Sequence, residues 1–231
     1  MKANIQFGSR QIDFRWEYSN RKSLGITVTP DLEVLVKAPV DTPLQKIKEK
    51  ICKKAPWIIK QQSFFLSFHP KTPAKKFVSG ETHLYMGRQY RLKIIGGKGE
   101  SVKLKGKFIQ VATTDKTKAK QLVNKWYLQN AKTKFHAIAQ ELIEKFRKHK
   151  VRPSSIVIRV MPTRWGSCTP KGKLILNPEL IKAPRGCIEY VIIHELCHLV
   201  HRDHTQKFID LQTKEMRDWE KWKMRLEKLL A

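Results

Sequence analysis

The segment that most narrows what this 231-residue chain can fold into is Ile188–Val200. Read at helical spacing it is apolar on nearly every face, through Ile188, Tyr190, Val191, Ile193, Cys197 and Val200. A helix of that kind has to be wrapped by other elements rather than lie on a surface. The chain is long enough to supply such a core, and at 41% apolar residues it is too hydrophobic for wholesale disorder. Within this apolar run stand His194, Glu195 and His198. Three polar residues on a helix that must be buried have to line something.

The elements around that helix are legible from periodicity. Alternation marks strands at Ile12–Trp16, Ile26–Thr29 and Leu32–Val36, with a turn at Pro30-Asp31 between the last two. Asp41 or Thr42, followed by Pro43, opens a helix over about 42–66 with Leu44, Ile47, Ile51, Trp57 and Ile58 on one face. Pro56 is expected to kink or split it. Residues 69–80, with two prolines and several lysines, read as a loop. Strand patterns return at Thr82–Met86, Gln89–Ile95, Val102–Leu104 and Phe108–Val111. A long helix follows over about 116–148, then a strand at Ser154–Met161 with Gly172–Leu176 as its expected hairpin partner. The apolar helix opens at Pro184-Arg185-Gly186, and a last helix spans about 205–230. This is an α+β pattern. The expected organisation is a β-rich N-terminal domain over 1–115 with one helical insertion, and a second domain over 116–231. No internal repeat is evident in the sequence.

His194-Glu195-Leu196-Cys197-His198 fits the pattern H-E-x-x-H. Residues four apart on a helix lie one turn apart on the same face, so His194 and His198 can offer ring nitrogens to one ion. Zinc takes neutral imidazole at about 2.0–2.1 Å and in catalytic sites keeps a fourth position for water. Glu195 follows the first histidine, where it can lean toward that water and take its proton. The competing reading is a helix that happens to carry two histidines and a glutamate.

Two histidines compete for the third position. His201 lies seven residues after His194, and on a continuing helix their Cα atoms would be about 10 Å apart. That span is too long for convergence on one ion. His204 reaches if the helix ends near Val200–His201 and the chain folds back. Asp203 and the histidines around it suit such a terminus, because Asp and His tolerate left-handed backbone. The resulting spacing matches H-E-x-x-H-x-x-G-x-x-H, with His201 where that pattern has Gly. The expected ligands are His194, His198 and His204, the expected cofactor Zn2+ and the expected catalytic base Glu195.

Further residues extend the pattern. Thr163-Arg164-Trp165-Gly166-Ser167-Cys168 precedes Gly172-Lys173-Leu174-Ile175-Leu176-Asn177, and His204-Thr205 precedes Phe208. Together with Tyr190–Leu199 this resembles the YgjP-like family of metal-dependent hydrolases, relatives of the SprT-type zinc proteases. Weaker matches at Arg21–Leu24, Ala38-Pro39, Trp57-Ile58 and Gly80–Tyr90 carry the resemblance over most of the chain. It implies a compact zincin-like catalytic unit, a short sheet backed by helices, after a β-rich extension. It also implies the same three histidine ligands. Arg164 reads equally as a contact to substrate or transition state and as a structural residue. Trp165 reads as a core anchor, Gly166 as a bulge or turn, Tyr190 as core and Asn177 as a local cap.

The charge points to partners. Lys and Arg number 47 against 20 Asp and Glu, a net +27. Residues 1–115 hold 22 basic and 9 acidic residues and 116–231 hold 25 and 11, so the excess is spread along the chain. Such a field attracts polyanions, DNA foremost; the plain alternative is a solvated lysine-rich surface. No apolar run approaches the roughly 20 residues of a membrane helix, and the first residues lack a signal's apolar core, so a cytoplasmic location without membrane contact is expected. Cys52, Cys168, Cys187 and Cys197 form no Cys-x-x-Cys pair and suggest no thiolate site. The functional expectation is a zinc metallopeptidase acting on peptide or protein, in one form on proteins associated with nucleic acid. The alternatives are a nucleotide pyrophosphatase, to which the family resemblance also points, and a nucleic-acid-binding protein with structural zinc.

Overall fold

A computed structural model describes residues 1–8, 10–29, 31–66, 75–97, 99–162 and 164–230. Pro30 of the expected turn, residues 69–74 of the expected loop and Thr163 lie outside the described residues. The fold is α+β, with five α-helices and three small sheets among the described residues. It divides into two compact units, residues 1–73 and 74–230. The division thus falls some forty residues before the change from β to helical pattern at 112–118.

In the first unit β1 (Lys2–Phe7), β2 (Arg10–Tyr18), β3 (Gly25–Val28) and β4 (Val34–Ala38) form a sheet in the order β1-β2-β4-β3. Sequence reading missed β1, whose short alternation is held by antiparallel pairing of Ile5 with Ile12. Ile12, Phe14 and Trp16 of β2 and Val34, Val36 and Ala38 of β4 point to one face. Helix α1 (Leu44–Leu66) covers that face with Ile47, Ile51, Ala55 and Ile58, all fully buried. Pro56 does not split the helix. Its lost hydrogen bond is outweighed by an apolar stripe that packs on the sheet from both sides of it.

The second unit begins with the same topology. β5 (Thr82–Tyr85), β6 (Arg88–Ile95), β7 (Ser101–Lys105) and β8 (Phe108–Ala112) run in the order β5-β6-β8-β7. In both sheets the first two strands are antiparallel, the second and fourth parallel, and the third and fourth antiparallel. In both, a helix follows the fourth strand. The chain therefore contains a structural repeat that its sequence conceals. Even the registers agree: Phe14 pairs with Val34 and Leu92 with Ile109, while Ile5 faces Ile12 and His83 faces Tyr90. His83, 3% exposed, thus occupies the place that Ile5 holds in the first copy.

Helix α2 (Ala119–Phe146) follows a 3-10 turn that Asp115 caps through the Thr117 N–H, 2.9 Å away. Its buried side carries Val123, Tyr127, Ala131, Phe135 and Ile138, and the Tyr127 hydroxyl donates to the Leu84 carbonyl at 2.7 Å. The third sheet has β9 (Ser155–Ile158), β10 (Gly166–Cys168) and β11 (Lys173–Leu176) in the order β10-β11-β9. Here the expected hairpin is corrected: β9 and β11 are neighbours but parallel, and the hairpin is β10–β11. The connection from β9 to β11 is long enough to insert a third strand, which takes the antiparallel place and leaves β10 at the edge.

Helix α3 (Arg185–Val200) packs against α2, β10 and the two C-terminal helices, α4 (Gln206–Glu215) and α5 (Trp219–Leu230). The expected single helix over 205–230 is therefore two. Met216 is extended at φ −151°, and the corner is stitched by the Trp219 and Trp222 indole N–H groups, donating to Thr213 and Asp218. Trp222 lies so close to Gly186 that a Cβ there would sit 2.5 Å from the indole ring. Among the described residues, no helix is long and apolar enough to cross a membrane.

Candidate metal centre

Helix α3 ends at Val200, and His201 is extended at φ −129° rather than left-handed. The chain then doubles back into α4, and this corner is what brings the third histidine in. His194, His198 and His204 each have a ring nitrogen within 4.8 Å of the others, and His201 is not among them. His194 and His204 approach Nε2 to Nε2 at 3.1 Å.

The outer nitrogens of the two helical histidines are occupied. His194 Nδ1 donates to the Gln212 Oε1 at 2.8 Å, and His198 Nδ1 lies 3.3 Å from the His201 carbonyl oxygen. Both rings therefore keep Nε2 free toward the common point. Phe208 of α4 packs its ring against all three imidazoles, with centroids 4.6–5.0 Å away. Burial lowers the His194 pKa to about 4, helped by the neighbouring histidines and opposed by the Gln212 hydrogen bond. Burial likewise lowers His198, with the His204 charge adding to it. Neutral imidazole is the form that ligates. Three imidazoles whose nitrogens lie within 4.8 Å of one another, on the wall of an open cleft, suit a four-coordinate, borderline-soft divalent ion that keeps one free position.

Glu195 is 6% exposed and faces the edge strand β10. Burial raises its pKa to about 7, against the opposing Cys168 N–H hydrogen bond and the Arg164 charge. A carboxylate poised near neutrality suits a general base. The strand comes this close only because residue 166 is Gly: a Cβ there would lie 2.6 Å from Glu195 Oε1 and 2.8 Å from both Glu195 Cγ and Val191 Cγ1. An open cleft of about 690 Å³ lies along this edge. Its lining includes Arg164, Ser167, Thr169, Arg202 and the three histidines with Glu195.

Sequence reasoning named His194, Glu195, His198, His204 and Arg164, and all five meet at this cleft, Arg164 as an exposed residue at its margin. It missed Gln212 and Arg202. Gln212 left one trace: an amide on the buried side of α4 beside Phe208 and Leu211. Tyr190 and Trp165 pack with the core, Tyr190 stacked on Trp219 at 6.2 Å. Asn177 caps a 3-10 turn at Pro178–Lys182 and ties it back to the Met161 and Arg164 carbonyls.

No curated protein and no solved structure matches the chain. A family model does, the YgjP-like metallopeptidase domain, over residues 22–229. The match spans both compact units, and its metal-dependent peptidase character agrees with a histidine trio set beside a buried glutamate. The chain belongs to the YgjP-like family and carries its metallopeptidase domain.

Proposed function

We propose that the protein is a zinc peptidase in which His194, His198 and His204 hold the ion and Glu195 is the general base. The observation that carries this reading is the convergence of three imidazoles beside a single buried carboxylate whose pKa is about 7. When bound, zinc would polarise the scissile carbonyl and make water easier to deprotonate. Glu195 takes the proton from the attacking water and passes it to the departing amine nitrogen. The Cys168 N–H beside Glu195 favours its charged form, the form that accepts the proton. The free edge of β10 offers backbone groups to an extended peptide, and Gly166 keeps that edge close to the base. Arg164, in the lining of the cleft, contacts substrate or developing negative charge in this reading. The +27 charge supports substrates associated with nucleic acid.

A second reading, hydrolysis of nucleoside triphosphates, draws on Arg164 and Arg202 in the cleft lining. One experiment separates them. Purified protein is loaded with zinc and assayed on casein, on a DNA-bound protein and on nucleoside triphosphates, beside Glu195→Gln. The variant is expected to keep its metal by elemental analysis and to lose at least about a hundredfold in turnover. Full activity in Glu195→Gln sinks the assigned base, and cleavage of triphosphates alone sinks the peptidase.

A further inference from the structure

Away from the metal centre, the first unit holds a groove between the edge strand β3 and helix α1. Leu24, Ile26 and Trp57 form its apolar floor, Lys50 and Lys54 its walls, and its volume is about 190 Å³. Among the described residues Trp57 is the one exposed tryptophan, at 42%, and its indole N–H has no partner. Lys53, Lys54 and Lys60 stand four before, three before and three after Trp57, so they share its helix face. Arg21 adds a further cation, its guanidinium lying on Gly25 of β3. Helix α1 carries six lysines and one acidic residue, Glu49. Two cations on the sheet of this unit are paired, Arg15 with Glu33 at 2.9 Å and Lys37 with Glu17 at 3.0 Å. Among the described residues, none of the α1 lysines is held in an ion pair.

We propose that this groove binds single-stranded nucleic acid, one base stacking on Trp57 while Lys50, Lys54 and their helical neighbours contact the phosphates. The proposal rests on the nucleic-acid part of the function proposed above and gives that contact a place. A solvent-facing indole among unpaired lysines combines a flat apolar platform with a track of positive charge, the two elements of strand binding without sequence preference. From Lys50 to Lys60 the helix rises about 15 Å, the length of two or three nucleotides. A duplex keeps its bases stacked on each other and would use the lysines alone. An acidic peptide would use the charge without needing the exposed ring.

The test is binding of a fluorescent 15-nucleotide oligo(dT) to the full chain, followed by anisotropy across a salt series. Single strand is expected to bind more tightly than a duplex of equal length. Trp57→Ala should weaken binding about tenfold without changing the salt slope, and Trp57→Phe should stay within about threefold of the parent. Lys50→Glu with Lys54→Glu should weaken it more than tenfold and flatten the salt dependence. The same charge change at Lys103 and Lys105, in the other unit, should cost less than threefold. Equal losses at the two lysine pairs, no loss in Trp57→Ala, equal or tighter binding of duplex, or displacement by polyglutamate of matched charge would each overturn the groove while leaving a general nucleic-acid contact standing. No binding of any nucleic acid removes both. Glu195→Gln should bind like the parent, so failure of the peptidase reading is seen separately.

Discussion

At the scale of single residues, the proposed metal centre depends on side chains beyond the histidine trio itself. Gln212 is 1% exposed and accepts the His194 Nδ1–H, so it fixes which nitrogen of that ring faces the common point. Partners of this kind orient a ligand and set its basicity. Gln212→Ala is expected to leave the fold intact and to weaken zinc binding about 10- to 100-fold in a competition with a chelator; unchanged affinity would remove Gln212 from the site. Gly166 acts on the base instead. A methyl group there meets Glu195 and Val191 below 3 Å in a packed interior, and Glu195 has to move. Gly166→Ala should therefore keep its metal, lose about a hundredfold in kcat and lose about 1–3 kcal/mol of stability from overpacking. Metal loss alongside activity loss would show that the glycine supports the ligands rather than the base.

At the scale of elements, the hairpin β5–β6 ties the second sheet to helix α3. Its turn residues Met86 and Gly87 both have positive φ, the backbone that a two-residue hairpin turn demands. Their N–H groups donate to the Ile181 and Lys182 carbonyls just before α3, at 2.8 and 3.0 Å. The hairpin is itself anchored by Glu81, which accepts from the Lys76 and Phe77 N–H groups and lies 2.9 Å from His83. Burial pushes Glu81 upward, but those hydrogen bonds outweigh it and hold the carboxyl below its ordinary pKa. Burial lowers His83 despite the pull of Glu81. Both shifts have the same sign for stability. The Glu81 contribution is present above its unfolded pKa and fades as pH falls through the folded value. The unfolded chain protonates His83 near pH 6.5 while the folded chain resists, so stability falls with pH from there downward. Urea midpoints should thus drop between pH 7 and pH 5, and His83→Ile, which restores the residue type of the first copy, should make that drop smaller. An equal drop in both proteins would place the acid sensitivity elsewhere. Nothing in the sequence around His83 announces a buried pair, because its partner and its burial come from the sheet. The same holds for the parallel pairing of β9 with β11, while β1 and Gln212 left only weak traces, a short alternation and an amide on the buried side of α4. Local period made α2, α3 and most strands legible, and the four-residue spacing made His194 and His198 legible. His204 was reachable because a distance argument excluded His201. The matching topology of the two sheets was hidden because pairing order and register survive replacement of nearly every side chain, Ile5 by His83 among them.

At the scale of the whole molecule, the question is what the histidine trio needs in order to exist. Two apolar cores stand in the chain, one drawn from residues between Ala3 and Phe65, the other from residues between Phe77 and Leu229. Each is composed of residues from a single compact unit. The second unit holds the three histidines and Glu195, and its core includes Tyr85, Leu92, Ile109 and Val111 of the β5–β8 sheet. A cut after residue 115, where periodicity changes from strand to helix, would strip α2 of the sheet it covers. It would also remove the Met86 and Gly87 donors that hold the turn leading into α3, and the Pro184 that opens this helix would lose its contact with Gly87. A cut at residue 74 keeps all of these. The fragment 74–231 is therefore expected to unfold cooperatively and to bind one zinc ion with the affinity of the full chain, as calorimetry and elemental analysis would read. The fragment 116–231, with its larger exposed apolar face, should be aggregated or molten and bind zinc poorly. If the shorter fragment folds and binds zinc as well as the longer one, the second sheet is an accessory to the catalytic unit. If only the longer one does, the catalytic unit consists of the second sheet, α2 and the metal-bearing helices together, with residues 1–73 free to serve a separate purpose.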